Sequence, residues 1–155
     1  MAIDDNEEET TLPGIVSQQL ELLQEISLFR GLSLKQWFRI VNASKTMFYD
    51  TGECVLSQGD LLDSLNIVID GALESDAASA PLQRGAVFVA SSLLHHHAAR
   101  WSASASVPTT VMRLSSKDFL TLTHSQPRLG LALLHRLGEH LSRALNSVTS
   151  SPFSS

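Results

Sequence analysis

The chain has 155 residues, one cysteine and a formal net charge of −5, and it is 43% hydrophobic and 17% charged. This length and composition are typical of one globular domain, and a single cysteine excludes an internal disulfide. No window approaches the roughly 20 apolar residues of a membrane helix. The first residues lack the basic and apolar regions of a secretion signal, so we expect a soluble, cytoplasmic protein.

Acidic residues are concentrated at the amino terminus, where five of them fall within the first nine residues. We predict an acidic disordered tail over residues 1–16, one folded domain over 17–148 and a flexible tail over 149–155. Without its acidic start the chain is near neutral. It therefore lacks the basic surface with which proteins bind nucleic acid.

Two short helices are expected first. Residues 17–24 have helical spacing of apolar positions, and Ser33 is a typical N-cap for a second helix. The apolar stripe of that second helix should pack on the strands that follow. It comprises Trp37, Ile40 and Val41.

Short strands separated by turns are expected over residues 45–107, with a polar hairpin loop at 76–81 and a closing strand at 110–114. Four glycines fall between the apolar runs, where turns need positive φ angles or close backbone approach: Gly52, Gly59, Gly71 and Gly85. In residues 65–70 strongly apolar side chains alternate with a mixed set. That alternation predicts a strand buried on one side.

A long helix is predicted at the carboxy-terminal end, over residues 127–147, because Pro127 suits the first helical turn. A shorter helix capped by Ser115 or Ser116 precedes it. The long helix carries a seam of leucines, Leu134, Leu137, Leu141 and Leu145. This seam fits either packing on the chain's own strands or a homodimer interface, and Gly130 and Gly138 should permit close packing.

Three segments together resemble the cyclic nucleotide-binding domain family. Residues 22–31 end in a Leu-Phe turn, residues 52–60 contain Gly-Glu and Gln-Gly-Asp, and residues 63–71 form a strand followed by glycine. The resemblance covers about residues 20–148. It implies a mainly β domain with flanking helices (α+β), a double-stranded β-helix or jelly-roll-like β-roll with amino-terminal helices and a long carboxy-terminal helix.

Residues 85–104 resemble the family's phosphate-binding cassette. The resemblance implies that helix amides and an arginine hold a cyclic phosphate, that a glycine lets the backbone approach it, and that a glutamate binds the ribose hydroxyl. With Phe88 aligned, Val89 falls on the glycine, Ala90 on the glutamate and Arg100 close to the arginine. The candidate ligand-binding residues are Phe88, Val89, Ala90, Leu93, Leu94, Arg100, Trp101 and Ser102.

The two replacements predict a weakened ligand site. Loss of a charged acceptor removes about 1.5–3 kcal/mol, which weakens binding roughly 10- to 150-fold. We therefore expect no cofactor, or weak binding of cyclic AMP or cyclic GMP. Trp101 could stack on a base, but its neighbour Arg100 would point to the opposite face of a strand, which favours packing for Trp101.

Catalysis and metal binding are not expected. Adjacent imidazoles such as His95, His96 and His97 rarely converge on one ion, and we expect them to be exposed in a loop. We interpret His124, His135 and His140 as helix-surface residues. The sequence contains no nucleophile elbow, His-Glu-x-x-His or P-loop, so an enzyme is not expected.

The sequence thus predicts a regulatory or interaction module that acts through a protein partner. Residues 112–114, Phe119 and residues 126–137 look like the cytoplasmic domains appended to some SulP-type anion transporters. The competing hypothesis is a functional cyclic nucleotide sensor that moves its carboxy-terminal helix. A transcription factor would need a helix-turn-helix after that helix, where only a short Ser/Pro segment remains.

Overall fold

A computed structural model describes residues 21–22, 25–77 and 80–146, without the side chains of residues 27 and 144–146. The proposed tails at 1–16 and 149–155 lie outside these residues, as does most of the first expected helix. The helices are α1 (Leu34–Ala43), α2 (Ser116–Ser125) and α3 (Pro127–Asn146), with 3-10 turns at Ser27–Phe29 and Ala90–Leu93. The strands are β1 (Lys45–Tyr49), β2 (Cys54–Leu56), β3 (Leu61–Leu62), β4 (Ser64–Asp70), β5 (Ala72–Ser75), β6 (Leu82–Gln83), β7 (Val87–Phe88), β8 (His97–Ala98), β9 (Ala103–Ala105) and β10 (Thr109–Ser115).

These strands form a β-roll. One four-stranded sheet has the order β1-β10-β4-β7, a second has the order β2-β9-β5-β6, and β3 pairs with β8. All the pairings are antiparallel. The predicted fold class is confirmed: a mainly β core with flanking helices and a long carboxy-terminal helix. The described residues contain no helix long and apolar enough to cross a membrane.

Strand β4 differs from its predicted one-sided burial, because every residue except Asp70 is buried. The strand lies between β10 and β7 in the middle of its sheet. Its odd-numbered apolar residues face a layer of helices, while Val68 faces the inside of the roll. Both faces of this central strand are therefore covered along its length as far as Ile69, which the alternating sequence did not indicate.

Two hydrophobic cores result. The helix-side core packs the helices on the first sheet, and its large members include Phe29, Trp37, Ile40, Ile67, Met112 and Leu137. The roll core fills the space between the sheets, and its large members include Leu56, Val68, Leu73, Phe88, Trp101 and Val111.

Helix α1 begins with a capping box, in which Ser33 accepts from the Gln36 amide and the Gln36 side chain accepts from the Ser33 amide. Its apolar stripe is buried as predicted. Trp37 adds a direct link to the preceding turn, because its Nε1 donates to the Phe29 carbonyl at 2.9 Å. Ser115 caps α2 by accepting from the Asp118 amide at 3.0 Å, and α3 begins at Pro127, both as predicted.

The two glycines of α3 differ in their surroundings. A Cβ added to Gly130 would lie 2.6 Å from Thr123 Cγ2, so α2 and α3 approach closely there. A Cβ on Gly138 would meet nothing within 4 Å. The expectation of close packing is therefore confirmed at Gly130 and wrong at Gly138.

All four glycines predicted to form turns have positive φ, and Gly71 is also the most tightly enclosed. It connects β4 to β5 with a φ of 96°. A Cβ there would lie 2.5 Å from Thr109 Oγ1 and 2.6 Å from the Pro108 carbonyl oxygen. Thr109 cannot easily move, because its Oγ1 bonds to Ala72 and to Val107.

We predict that Gly71→Ala destabilises the protein more than Gly52→Ala does. Both residues have positive φ, so both substitutions carry the left-handed strain of about 1–2 kcal/mol. Only Gly71→Ala adds a backbone clash, since nothing lies within 4 Å of a Cβ at Gly52. Urea unfolding should give a difference of about 1–3 kcal/mol or more. Equal losses would show that Thr109 and Pro108 do not confine this turn.

Candidate functional site

The cassette begins where β7 ends. Phe88 is the last residue of β7, Val89 has φ 51° and ψ 36°, and the 3-10 turn Ala90–Leu93 follows. Among the described residues, Val89 is the only residue other than glycine with positive φ. A β-branched residue rarely adopts this conformation, which costs on the order of 1–3 kcal/mol. The backbone therefore has a glycine-like conformation at the position aligned with the family's glycine.

The side chains at positions 89 and 90 lie in the protein interior. Val89 is 6% exposed and belongs to the roll core, while Ala90 is 4% exposed and belongs to the helix-side core. Ala90 is the position aligned with the ribose-binding glutamate. A methyl group in an apolar core occupies this position and can accept no hydrogen bond.

Ser92 fixes the cassette turn to strand β4. Its side chain is fully buried, and its Oγ accepts from the Ser64 amide at 3.1 Å. The same hydroxyl lies within donating distance of two carbonyl oxygens, that of Val89 at 2.6 Å and that of Ser64. Sequence reasoning missed this residue, because a serine in a serine-rich stretch carries no sign of burial.

The two leucines matched to the family's apolar pair have different environments. Leu93 is buried in the helix-side core, whereas Leu94 is 51% exposed. Only the first of them therefore anchors the turn.

Arg100 and Trp101 lie in the bend between β8 and β9 rather than on the alternating strand that the sequence suggested. Arg100 is exposed, and Trp101 is 7% exposed within the roll core. The Trp101 ring centroid lies 6.3 Å from that of Phe88, with the rings tilted by 54°. This geometry is that of an aromatic packing pair, so Trp101 fills the interior of the roll.

Ser102 is held by groups from two other loops. Its Oγ accepts from the Gln58 amide at 2.8 Å, and its own amide donates to Asp76 Oδ1 at 2.9 Å. Asp76 also donates its amide to the Ser102 carbonyl at 3.2 Å. The Ser102 amide is thus paired with a carboxylate, which would repel an incoming phosphate.

Charge is distributed unevenly over the roll. Residues 50–76 contain seven acidic residues and no lysine or arginine.

Arg113, on β10, is half-buried and donates to Asn66 Oδ1 at 2.9 Å and to Tyr49 Oη at 3.1 Å. It lines a cavity of about 120 Å³ that also contacts Asp60 and Asp63. This network was not predicted, because its members lie far apart in the sequence.

The histidines only partly match their expected exposure. His95 and His96 are exposed and His97 is half-buried, and the His95 and His97 rings stack at 6.1 Å. His96 Nε2 lies 2.9 Å from Ser116 Oγ, which connects the cassette loop to α2. His140 is not a simple surface residue. It is half-buried, and burial, followed by the nearby Arg143, lowers its pKa.

The leucine seam of α3 is rotated relative to the expected one. The buried stripe comprises Leu129, Leu133 and Leu137, while Leu134 and Leu141 are only partly buried against the same core. The side chain of Leu145 lies outside the described set. The stripe packs within the chain, in the helix-side core with Phe29 and Phe119.

Comparisons with known proteins identify the family of this chain and agree with its β-roll fold. A family model described as "Cyclic nucleotide-binding domain" matches residues 46–126. No curated protein gives a match. The chain is similar to a cyclic nucleotide-binding domain from Methylobacillus flagellatus KT, with a TM-score of 0.74 and 22% identity over 88% of this chain and 81% of that one.

Two further solved structures come from regulators. The N-terminal domain of a transcriptional regulator from Streptomyces coelicolor A3(2) gives a TM-score of 0.72 and 17% identity, covering 82% of this chain and 94% of that one. The Thermus thermophilus catabolite activator protein gives a TM-score of 0.69 and 26% identity over 79% of this chain. The match spans 60% of the Thermus protein.

We predict that Ser92→Ala destabilises the protein by about 1–3 kcal/mol, because it leaves the buried Ser64 amide without its acceptor. Ser91→Ala is the control. Ser91 is half-buried, and its Oγ lies 3.3 Å from His97 Nε2, so the substitution removes no acceptor from a buried backbone amide among the described residues. Urea unfolding of both variants measures the difference, and equal costs would contradict the role assigned to Ser92.

Leu137→Ala should cost about 2–5 kcal/mol, because Leu137 is 2% exposed in the helix-side core. Leu131→Ala, on the same helix but 66% exposed, should change the free energy of unfolding by less than about 0.5 kcal/mol. Thermal and urea unfolding measure the loss of stability, and the molecular mass in solution reports the oligomeric state of each variant. If Leu137→Ala changed only the oligomeric state, the stripe would be an interface between chains.

Proposed function

The chain belongs to the cyclic nucleotide-binding domain family, and we propose that it is a regulatory or interaction module whose cassette binds cyclic nucleotides weakly or not at all. The observation that carries the proposal is the burial of Ala90, at 4% exposure, where the family places its ribose-binding acid. Without that acceptor the site loses about 1.5–3 kcal/mol of binding free energy.

Three further features of the site support weak binding. Trp101 occupies the inside of the roll beside Phe88. The Ser102 amide is already bonded to the Asp76 carboxylate. The acidic run over residues 50–76 gives the roll a negative potential, which disfavours an anionic ligand.

The competing proposal, a functional cyclic nucleotide sensor, has support of its own. Val89 keeps the left-handed backbone expected of a glycine, and Arg100 is exposed and available to a phosphate. An arginine alone can hold a phosphate through two parallel hydrogen bonds. It supplies no recognition of the ribose, so we favour the module with weak or absent ligand binding.

The partner in our proposal is a protein, either another domain or another chain. Solved relatives include the N-terminal domain of a transcriptional regulator and the sensor domain of the regulator DNR from Pseudomonas aeruginosa. These descriptions support the regulatory role that we propose, and we further propose that the protein acts in the cytoplasm and is not an enzyme. Attachment to a SulP-type anion transporter stays a prediction from sequence resemblance.

Titration calorimetry with cyclic AMP and cyclic GMP tests the proposal directly. We expect dissociation constants above about 100 μM, which is about −5.5 kcal/mol. At 1 mM nucleotide such a site adds at most about 1.4 kcal/mol of stability, or a rise in Tm of about 4 °C. Low-micromolar binding of either nucleotide would overturn the proposal.

The double variant Val89→Gly with Ala90→Glu is the matched comparison. It should bind cyclic nucleotide more tightly than the wild type if Arg100 is correctly placed. It should also unfold more readily without ligand, because Ala90→Glu places a carboxylate in an apolar core. Circular dichroism establishes that the variant is folded before titration.

A further inference from the structure

A groove lies between the second half of α1, the start of β1 and α2. Its volume is about 480 Å³. Most of its lining side chains are polar or charged. They include Arg39, Asn42, Lys45, Asp118, Thr121 and Ser125.

The groove is surrounded by positive charge. Lys35 lies one helical turn before Arg39, and Lys117 one turn before Thr121, so both extend the lined faces of α1 and α2. The three lysines of the chain, Lys35, Lys45 and Lys117, therefore all lie in or beside the groove. Together α1, β1 and α2 carry four lysine or arginine side chains and one carboxylate, that of Asp118.

Apolar side chains lie beside these cations. Phe38 is 46% exposed and Leu34 61% exposed, one turn apart on α1. Phe38 also lies one turn before Asn42, at the edge of the groove. An anionic segment that also offers apolar contacts would therefore match this surface.

We propose that this groove docks the acidic amino-terminal segment of the chain, residues 4–9. That segment holds five carboxylates and is the densest run of negative charge in the sequence. Ile3 precedes it, and Leu12 follows closely. The roll, with its own acidic run over residues 50–76, would repel the segment, whereas the α1–α2 layer attracts it.

The connection is long enough. Eleven residues, 10–20, separate residue 9 from residue 21, and the twelve steps between these two residues can span about 40 Å when extended. A folded unit of this size has a radius of gyration of about 14 Å. The linkage also raises the local concentration of the segment to the millimolar range, which compensates for the weakness of each exposed ion pair.

The first test is a titration in trans. A fluorescent peptide of residues 1–12 is added to the full chain in which Asp4, Asp5, Glu7, Glu8 and Glu9 are replaced by Asn or Gln, and anisotropy is measured. Raising salt from 20 to 200 mM should weaken binding at least about 10-fold. Arg39→Gln with Lys45→Gln should weaken it about 5- to 30-fold.

The control is Arg84→Gln with Arg128→Gln, which removes two exposed cations outside the groove and outside the candidate ligand site. It should leave peptide affinity unchanged within about 2-fold. If the groove variant, shown to be folded by circular dichroism, bound the peptide as tightly as this control, the groove would not be the docking site.

The second test asks whether the segment docks in cis. The chain with its native acidic residues should bind the peptide at least about 10-fold more weakly than the neutralised chain, because its own segment competes. Equal affinities would overturn the proposal. So would salt-sensitive self-association that depends on Arg39 and Lys45, which assigns the groove to a second copy. Equal binding of both chains to phosphatidylserine vesicles through these residues would overturn it too, by assigning the groove to an anionic lipid surface.

Discussion

Strand β4 is the element on which both cores depend. Its two faces are buried at once, with Ile67 against the helices and Val68 inside the roll. Because it pairs with β10 on one edge and β7 on the other, it also positions the cassette, which begins directly after β7. A shift of one residue in its register would exchange the two faces and turn Ser64, Asn66 and Asp70 toward the helix-side core.

The polar residues of β4 reinforce this register. Ser64 bonds to Ser92 in the cassette, and Asn66 accepts from Arg113 on β10 while its own amide donates to the Ser64 carbonyl at 3.2 Å. Each buried polar group has a specific partner at a fixed position. A slipped pairing would leave these groups unsatisfied, which costs more than their bonds contribute to stability.

The sequence predicts the fold well where a local rule decides the conformation. Turn glycines such as Gly71 and the Ser33 cap follow from backbone geometry. The cassette alignment assigned Ala90 to the glutamate position, and the structure places this residue at the start of the 3-10 turn, two residues after β7 ends. What the alignment could not indicate is that this methyl group would be enclosed by helices, since that depends on contacts with distant residues.

The features that the sequence did not predict depend on tertiary contacts, which local patterns do not determine. Leucines occur on more than one face of α3, so helical periodicity alone could not identify Leu129, Leu133 and Leu137 as the buried stripe. The left-handed Val89 opposes its intrinsic preference and is maintained by tertiary packing. The Ser92 bonds join residues 28 positions apart, a separation that no local pattern reports.

The positions of the two tryptophans have a spectroscopic consequence. Trp37 lies in the helix-side core with its indole N–H bonded to a carbonyl, whereas Trp101 lies in the roll core against Phe88. Each core therefore contains one of the two tryptophans, in a distinct environment. Because β4 is a wall of both cores, loss of either one exposes the other, and the two emission signals should change in a single cooperative transition.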